Sequence, residues 1–428
     1  MRYTKFFLLL LLSCQLFAQP KMSKELIDIL NKSNNELIQK VMNNKDSFKV
    51  QIIYTQINRD KNNKPHFTNY YFNVDANNYF NPASTVKLPL AFLSLEKFND
   101  LRVKNIDAAT SMLFDSAYKR QVIRHSDSTA ENGLPSVAQF IRKAFLVSDN
   151  DAYNRMYQWV SQQTANRSLH DKGYTTTRIT RQFMGFTEDE NRHTNPIRFI
   201  DTNGNTLYNQ PMLYNTDSFY FPSSIKVGKG YLNAKDSLIN EPIDFTKANN
   251  LPLEDLQQML KSVLFPASVA AKQRFRLNDN DYQFLYRYLS QYPSETKYPF
   301  YDTTIFYDSY VKFFFRGKHA MPKNVRVFNK VGWAYGFLTD ASYIVDFENK
   351  TEFMLAATIY VNSDGILNDN KYEYETIGWP FMYQLGQILY QYELQRERKY
   401  KPNVDAFKIN YEHRDSNDKR KQIKEVDN

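Results

Sequence analysis

The chain has 428 residues, of which 42% are hydrophobic and 15% aromatic, enough apolar material for a large folded core. Its one cysteine, Cys14, excludes a disulfide within the chain, so stability must come from packing. The formal net charge is +9, and much of the excess lies in a tail at 396–424 that mixes both signs. Such a tail favours a solvated, partly disordered end over nucleic-acid binding, and we predict no nucleic-acid partner.

Residues 1–18 predict a signal peptide. A short positive start at 1–5 precedes an unbroken apolar run at 6–12, and Ala18 ends a small-residue cleavage signal. The apolar run is too short to span a bilayer as a permanent anchor. Cys14 lies in a sequence that resembles a bacterial lipoprotein cleavage box, so its lipidation is the alternative and the only route to a membrane. The pattern predicts an exported protein of the periplasm or cell envelope.

Hydrophobic periodicity predicts elements at both ends of the chain. Leu26, Leu30, Leu37 and Val41 recur at helical spacing and predict a first helix. Runs of β-branched and aromatic residues predict two strands soon after it and three more before a closing helix. The predicted bounds are helix 23–44, strands 48–57, 70–74, 325–331, 342–346 and 352–361, and helix 379–395.

This order of elements predicts an α/β fold of two lobes. One sheet takes strands from both chain ends, a helical middle packs beside it, and the crevice between the lobes is the expected site. Segment 199–250, rich in Asn, Tyr, Ser and Gly, predicts an insertion between two helical parts. The predicted divisions are a sheet lobe at 23–80 and 320–395, a helical lobe at 81–198 and 251–319, the insertion, and a tail at 396–428.

The candidate nucleophile is Ser84, in the sequence Phe-Asn-Pro-Ala-Ser-Thr-Val-Lys at 80–87. A serine hydroxyl is a poor nucleophile until a base takes its proton. If Ser84 opens a helix, the Lys87 amine lies one turn on, and burial or nearby positive charge would keep it neutral. Pro82 ahead of the turn and the strongly apolar run after it distinguish this serine. Six other serines also precede a lysine by three residues: Ser94, Ser116, Ser223, Ser294, Ser309 and Ser416.

The second candidate is Ser148-Asp149-Asn150, which follows an apolar run of helical period. A second hydroxyl beside the lysine can relay a proton to a leaving nitrogen, and the Asn150 amide can hold a substrate amide. Asp149 is expected to cap local backbone groups. A polar turn that merely ends a helix is the alternative, and the sequence leaves it open.

The third candidate is Asn-Lys-Val-Gly-Trp at 329–333, at the end of the first late strand. Lys330 can attract a substrate carboxylate, and Gly332 lets a substrate backbone approach the strand edge. A second Lys-Val-Gly begins at Lys226, which is also the lysine that follows Ser223. One lysine cannot serve both sites, so we prefer Lys330.

These three motifs, in this order before a strand pair and a final helix, resemble those of the penicillin-recognising serine hydrolases, nearest to class A β-lactamases. The motifs are Ser84-x-x-Lys87, Ser148-Asp149-Asn150 and Lys330-Val331-Gly332. The resemblance covers roughly 23–395 apart from the insertion. It implies a β-lactamase/transpeptidase-like fold, with an antiparallel sheet completed by the N- and C-terminal segments beside a helical lobe.

The resemblance also implies roles for the motif residues. Ser84 would be acylated by a lactam or peptide carbonyl, and the amides of Ser84 and Trp333 would form the oxyanion hole. Lys330 would neutralise the carboxylate of the ligand. The implied catalytic residues are Ser84, Lys87 and Ser148. The implied substrate-binding residues are Asn150, Lys330, Gly332 and Trp333.

Two departures from the family pattern bear on the reaction. Class A enzymes clear the acyl group with a glutamate in a loop before Thr-Thr-Pro; here 194–196 is Thr-Asn-Pro, and counting back lands near Ile179, where no glutamate stands. Glu188 and Glu190 would serve only if the loop were rebuilt, and surface carboxylates are the alternative. Val331 replaces the usual hydroxyl residue, which removes a hydrogen bond of about 1 kcal/mol. The departures predict poor lactam hydrolysis with acylation retained.

The sequence therefore predicts an exported serine hydrolase that opens a β-lactam amide through a Ser84 acyl-enzyme. The alternatives are a cell-wall D-alanyl-D-alanine peptidase or other penicillin-binding acyl-hydrolase, and a non-catalytic envelope binding protein that retains the fold. We expect a monomer whose partner is a small β-lactam or a peptidoglycan peptide, with no cofactor. We expect no metal site, because the 6 histidines show no paired ligand spacing.

Overall fold

A computed structural model describes residues 19–426 except 102, 104, 318, 319 and 416. The predicted signal peptide and Cys14 lie outside the described residues. No helix in the described part of the chain is both long and apolar enough to cross a membrane.

Helices and strands follow one another in the order that the sequence predicts, with short additional strands in the middle. The helices are α1 Lys24–Lys32, α2 Glu36–Asn43, α3 Lys87–Leu101, α4 Val137–Leu146, α5 Asn150–Val160, α6 Gln162–Asp171, α7 Glu188–Arg192, α8 Leu253–Leu264, α9 Asp279–Ser290 and α10 Trp379–Gln395. The strands are β1 Gln51–Arg59, β2 Pro65–Phe72, β3 Ser111–Phe114, β4 Ile197–Ile200, β5 Thr206–Gln210, β6 Lys226–Val227, β7 Gly230–Leu232, β8 Leu238–Ile239, β9 Ile243–Asp244, β10 Val325–Ala334, β11 Phe337–Asp346, β12 Thr351–Tyr360 and β13 Ile366–Leu367.

The main sheet has five antiparallel strands in the order β10-β11-β12-β1-β2. β1 pairs with β12, for example Ile53 with Ala356, so the two ends of the chain meet inside the sheet. The predicted antiparallel sheet, completed by N- and C-terminal segments beside a helical lobe, is confirmed.

Helices cover both faces of this sheet, because successive side chains of a strand point to opposite faces. On β11, Tyr343 joins an apolar cluster with the helical lobe, whereas Ile344 joins a second cluster with α1, α2 and α10. β11 and β12 are consequently buried along their whole length. The centre of the sheet is therefore buried on both faces, and β10 forms one of its edges.

α3 is the central helix of the helical lobe. Every residue from Lys87 to Glu96 is buried, and the helix packs against α4, α5, α6 and α8. The indole nitrogen of Trp159 on α5 donates to the Ser94 carbonyl at 3.1 Å. A helix that is apolar on all sides must lie inside a core, and this burial fixes the position of the residues immediately before it.

The first predicted helix, 23–44, is wrong in one respect, because the chain forms two helices there. Asn34 takes a positive φ of 50°, which interrupts the helix. The side chain of Asn35 then accepts a hydrogen bond from the Ile38 amide at 3.0 Å and caps α2. The apolar residues of α1 and α2 follow one helical spacing, so the spacing does not reveal the break between the two helices.

The tail after α10 lies against the body of the protein instead of extending into solvent. Val404 and Phe407 are buried, and the Phe407 ring contacts the ring of Tyr343 on β11 at 4.8 Å. Further on, Ile423 forms a β-bridge with Tyr301. Apolar residues spaced among the charges therefore pack parts of this segment against the body.

The segment 199–250 consists mainly of short strands and turns. β4, which begins at Ile197, pairs with β3 of the helical lobe, so the start of this segment shares a small sheet with that lobe. The later strands β7 and β8 pair with each other, and β7 also pairs with β13 from the end of the sheet lobe.

Candidate active site

Ser84 lies in a short turn of helix, Ala83–Val86, that leads directly into α3. Ala83 takes a positive φ of 44°, which an alanine rarely adopts. The Asn81 side chain holds this turn by accepting from the Ala83 amide at 2.8 Å. A strained residue held by its neighbours beside a serine is a frequent feature of functional sites.

Gly332 on β10 permits close contact between the edge of the sheet and this turn. A Cβ added at Gly332 would lie 2.5 Å from the Pro82 carbonyl oxygen and 2.8 Å from the Ser84 amide nitrogen. No residue larger than glycine fits there without moving the backbone of the turn. The sequence predicts that Gly332 lets a substrate backbone approach the strand edge; in the structure, Gly332 also lets the turn that contains Ser84 pack closely against β10.

The Lys87 amine is the centre of the site. It lies 2.6 Å from the Ser84 hydroxyl and 2.8 Å from the Asn150 amide oxygen, and it also donates to the Ser148 carbonyl. The side chain is fully buried. Burial lowers the pKa of Lys87 to about 7, although the nearby Asp149 carboxylate opposes the shift. Near neutral pH a large fraction of the amine is therefore uncharged and can accept a proton.

Ser148 brings a second hydroxyl to the same place. The residue has a positive φ of 66°, and its hydroxyl lies 3.3 Å from the Lys87 amine and 2.8 Å from the Lys330 amine. Lys330 also donates to the Val331 carbonyl at 2.7 Å. Burial, followed by the charge of Lys87, holds the pKa of Lys330 well below its usual range. The Ser148 hydroxyl therefore has two buried amines as proton-transfer partners.

Asp149 and Asn150 begin α5. The Asp149 carboxylate accepts from the Ala152 amide at 2.7 Å and caps the helix, as the sequence predicts. The Asn150 side chain instead turns toward Lys87 and the cavity. The Ser148–Asn150 segment thus ends one loop, begins a helix and contributes two polar groups to the site.

A network of buried polar groups supports β10 from behind. Lys312 donates to the Asn329 side chain at 2.7 Å, and Asn329 donates to the Asp340 carboxylate on β11 at 2.9 Å. Because side chains alternate along a strand, Asn329 and Lys330 point to opposite faces of the sheet. This network therefore fixes β10 at Asn329, and the next residue of the strand, Lys330, reaches Ser148 on the other face.

A cavity of about 530 Å³ opens onto Ser84 between the two lobes. Ser84, Ser148, Asn150 and Trp333 form part of its lining, so the structure brings these predicted residues together. Lys87 and Lys330 lie behind this lining, buried and within hydrogen-bond distance of its hydroxyls. The predicted crevice between a sheet lobe and a helical lobe therefore contains the serine–lysine pair.

A second part of the lining carries no sequence motif. We call residues 181–185 the loop wall; Arg181, Phe183, Met184 and Gly185 of this segment line the cavity, together with Asn249. The Phe183 ring centre lies 5.2 Å from the Lys87 amine. Val426, the last described residue of the tail, also lines the cavity. None of these residues belongs to a short motif, so only tertiary structure reveals them.

The two glutamates considered for the loop lie elsewhere. Glu188 is exposed and pairs with Lys247 at 2.7 Å. Glu190 pairs with Arg120 at 2.5 Å and closes the capping box of α7. Neither lines the cavity, and none of the described residues that line it is acidic.

The second Lys-Val-Gly also lies away from the site. Lys226 and Ser223 are exposed, and Lys226 pairs with Asp244 across the small β6–β9 sheet. Neither residue lines the cavity. Within the described residues, no group of three or more His, Cys, Asp or Glu side chains is placed to hold a metal ion.

Residues 33–207 match the sequence model of the beta-lactamase enzyme family. The matched segment contains Ser84, Lys87 and Ser148 and ends before Lys330. No curated protein matches this chain in sequence.

Solved structures show a general likeness. PBP-A aligns with a TM-score of 0.45 and 13% identity, over 87% of this chain and 98% of its own. A beta-lactamase from Sphaerobacter thermophilus DSM 20745 aligns with a TM-score of 0.44 and 13% identity, over 85% and 98%. A class A beta-lactamase from Mycobacterium abscessus aligns with a TM-score of 0.43 and 11% identity, over 83% and 98%. All three TM-scores lie below 0.5, so nothing about the reaction follows from them.

Proposed function

We propose that this chain, which belongs to the penicillin-recognising serine hydrolases, is an exported enzyme that opens a β-lactam amide through an acyl-enzyme on Ser84. The observation that supports this proposal is the Lys87 amine, which is fully buried and lies 2.6 Å from the Ser84 hydroxyl. A buried amine whose pKa is lowered to about 7 can act as a general base at neutral pH.

In the proposed acylation, Lys87 takes the hydroxyl proton as the Ser84 oxygen attacks the amide carbonyl carbon. The amides of Ser84 and Trp333 stabilise the oxyanion of the tetrahedral intermediate. As the C–N bond breaks, Ser148 donates its proton to the leaving nitrogen and takes one in turn from a neighbouring lysine, Lys87 or Lys330. The Ser84 ester that remains is the acyl-enzyme.

The fate of this ester decides between two functions. Hydrolysis needs a base that activates water, and no described residue that lines the cavity is acidic. Phe183 places an aromatic ring 5.2 Å from Lys87. Both observations favour slow deacylation, and with it the second candidate, a penicillin-binding acyl-hydrolase of the D-alanyl-D-alanine peptidase type.

Intact mass after a pulse of benzylpenicillin, followed over time, tests the proposal. We expect the wild type to gain the mass of one penicillin, whereas Ser84→Ala gains none and Ser223→Ala, the exposed serine with the same spacing, behaves as wild type. An adduct that disappears within seconds identifies a β-lactamase, and one that persists for hours identifies a penicillin-binding peptidase. A wild-type protein that gains no mass and consumes no benzylpenicillin, while correctly folded, is the non-catalytic alternative and overturns the proposal.

A further inference from the structure

The loop wall is rigidly attached to the helical lobe at Arg181. The Arg181 amide donates to the Asn249 side chain at 3.0 Å, and the Arg181 carbonyl accepts from the Tyr153 hydroxyl at 2.7 Å. Tyr153 is fully buried, and its ring stacks on Phe183 at 4.1 Å. The backbone of Arg181 is therefore held by α5 on one side and by a distant segment on the other, and its side chain starts from a fixed point on the cavity lining.

The Arg181 guanidinium lacks a counter-ion in the described structure. The residue is exposed and lines the cavity, and its side chain makes no hydrogen bond or ion pair with any described residue. None of the described residues around it in the cavity is acidic. A guanidinium presents a planar fork of donors that matches a carboxylate bidentately, so its position favours an anionic group on whatever enters the cavity.

This cation is distinct from Lys330. Lys330 is buried behind the lining, and its amine donates to Ser148 and to the Val331 carbonyl. Arg181 belongs to the loop wall, which Asn249 and Tyr153 hold in place. The site therefore has two separate cations, Arg181 on the lining and Lys330 buried behind it.

We propose that Arg181 is a specificity-determining residue that binds an anionic substituent on the acyl portion of the substrate. This inference rests on the proposed function for the orientation of the substrate. The leaving nitrogen faces Ser148, so the acyl substituent extends toward the loop wall. The preferred substrates are then acyl donors that carry a carboxylate on the acyl side chain, in addition to any carboxylate on the leaving side.

Two penicillins that differ by one carboxylate test this assignment. Benzylpenicillin and α-carboxybenzylpenicillin share the bicyclic nucleus and the phenyl ring, so the ratio of their second-order acylation rates isolates the added charge. We expect the wild type to prefer the carboxylated probe by about tenfold. Arg181→Gln should lose this preference, and Arg181→Lys should retain part of it.

Lys247→Gln is the matched control. Lys247 is exposed near the loop wall, pairs with Glu188 at 2.7 Å and does not line the cavity. Loss of its charge lowers the net charge of the protein by the same amount as loss of Arg181, but it removes no group from the lining. We expect Lys247→Gln to keep the preference. If Lys247→Gln and Arg181→Gln lower it equally, or if Arg181→Gln leaves it unchanged, the assignment is wrong.

Binding to the non-reacting Ser84→Ala protein separates this inference from the proposed function. Calorimetry with both probes, with and without the additional Arg181→Gln substitution, measures recognition without acylation. Tighter binding of the carboxylated probe that depends on Arg181 supports the inference even if wild-type Ser84 is never acylated. Equal binding of the two probes overturns the inference even if acylation proceeds normally.

Discussion

The two walls of the cavity are built by different means. The wall that contains Ser84 and Ser148 rests on a buried helix and a sheet edge, and its hydroxyls are hydrogen-bonded to two buried amines. The loop wall lies on a segment without regular structure and presents an exposed cation and an aromatic ring. In the function we propose, the first wall has the groups that make and break bonds, whereas the second has groups that select a ligand. Substitutions in the two walls should therefore affect different measurements.

The largest effect is expected at Lys87. Without the buried amine no described residue is placed to take the Ser84 proton, so Lys87→Met should slow acylation by benzylpenicillin by about 10⁴-fold. Stopped-flow or quenched mass measurement of adduct formation gives the rate. Lys226→Met, in the exposed second motif, should stay within about twofold of wild type, and a similar loss in both variants would contradict the assignment.

A smaller loss is expected at the Ser148–Lys330 pair. Ser148→Ala and Lys330→Met should each slow acylation by about 10²–10³-fold, because both act on the proton that reaches the leaving nitrogen. Since the pair acts as a unit, the double variant should be little worse than the worse single variant. Rate losses that simply multiply in the double variant would show that the two residues act independently.

The acylation rate should rise with pH. Because burial lowers the pKa of Lys87 to about 7, the amine loses its proton as the pH rises through this value. The rate should increase about tenfold per pH unit below 7 and level off above it. Lys97 is a matched control, because burial also lowers its pKa to about 7, yet it donates to Trp159 and Gln210 instead of Ser84. Lys97→Met should keep the midpoint of the pH profile. A midpoint that moves in this variant would show that the profile reports Lys97 and not Lys87.

The smallest effect concerns the adduct lifetime and tests the loop wall. Phe183→Glu places a carboxylate near Lys87, where it can activate water, so the acyl adduct should disappear about tenfold faster. The same charge favours the protonated amine and should move the acylation midpoint to higher pH. Phe183→Gln removes the ring without adding a charge, so it should shorten the adduct lifetime by less than Phe183→Glu and leave the midpoint unchanged. An unchanged lifetime in Phe183→Glu would show that absence of a carboxylate does not limit deacylation.

The wall that contains Ser84 and Ser148 was largely predictable from the sequence. Its contacts join residues that are close in the chain, or they follow a regular spacing of apolar residues. One helical turn joins Ser84 to Lys87, and a loop that ends one helix and begins the next places Ser148 and Asn150 together. The period-two and period-3.6 patterns gave the sheet and α10. The three motifs in this order together predict one site, whereas no single motif is specific enough to predict it.

The loop wall could not be predicted, because distant segments build it. Arg181 is fixed by Asn249, 68 residues further along the chain, through hydrogen bonds that leave no spacing pattern. Val426 reaches the cavity because Phe407 and Ile423 dock the tail, and a few apolar residues among many charges are a weak signal. The break at Asn34 was hidden for a similar reason, since both short helices share one apolar period.

Peptide mapping of the penicillin adduct in wild type and in Lys87→Met shows whether Lys87 activates Ser84. We predict a single modified peptide in the wild type, with the penicilloyl group on Ser84, and almost none in Lys87→Met after the same brief exposure at pH 7. Modification at another residue, or equal labelling of Ser84 in the two proteins, would show that Ser84 and Lys87 are not the nucleophile and its base.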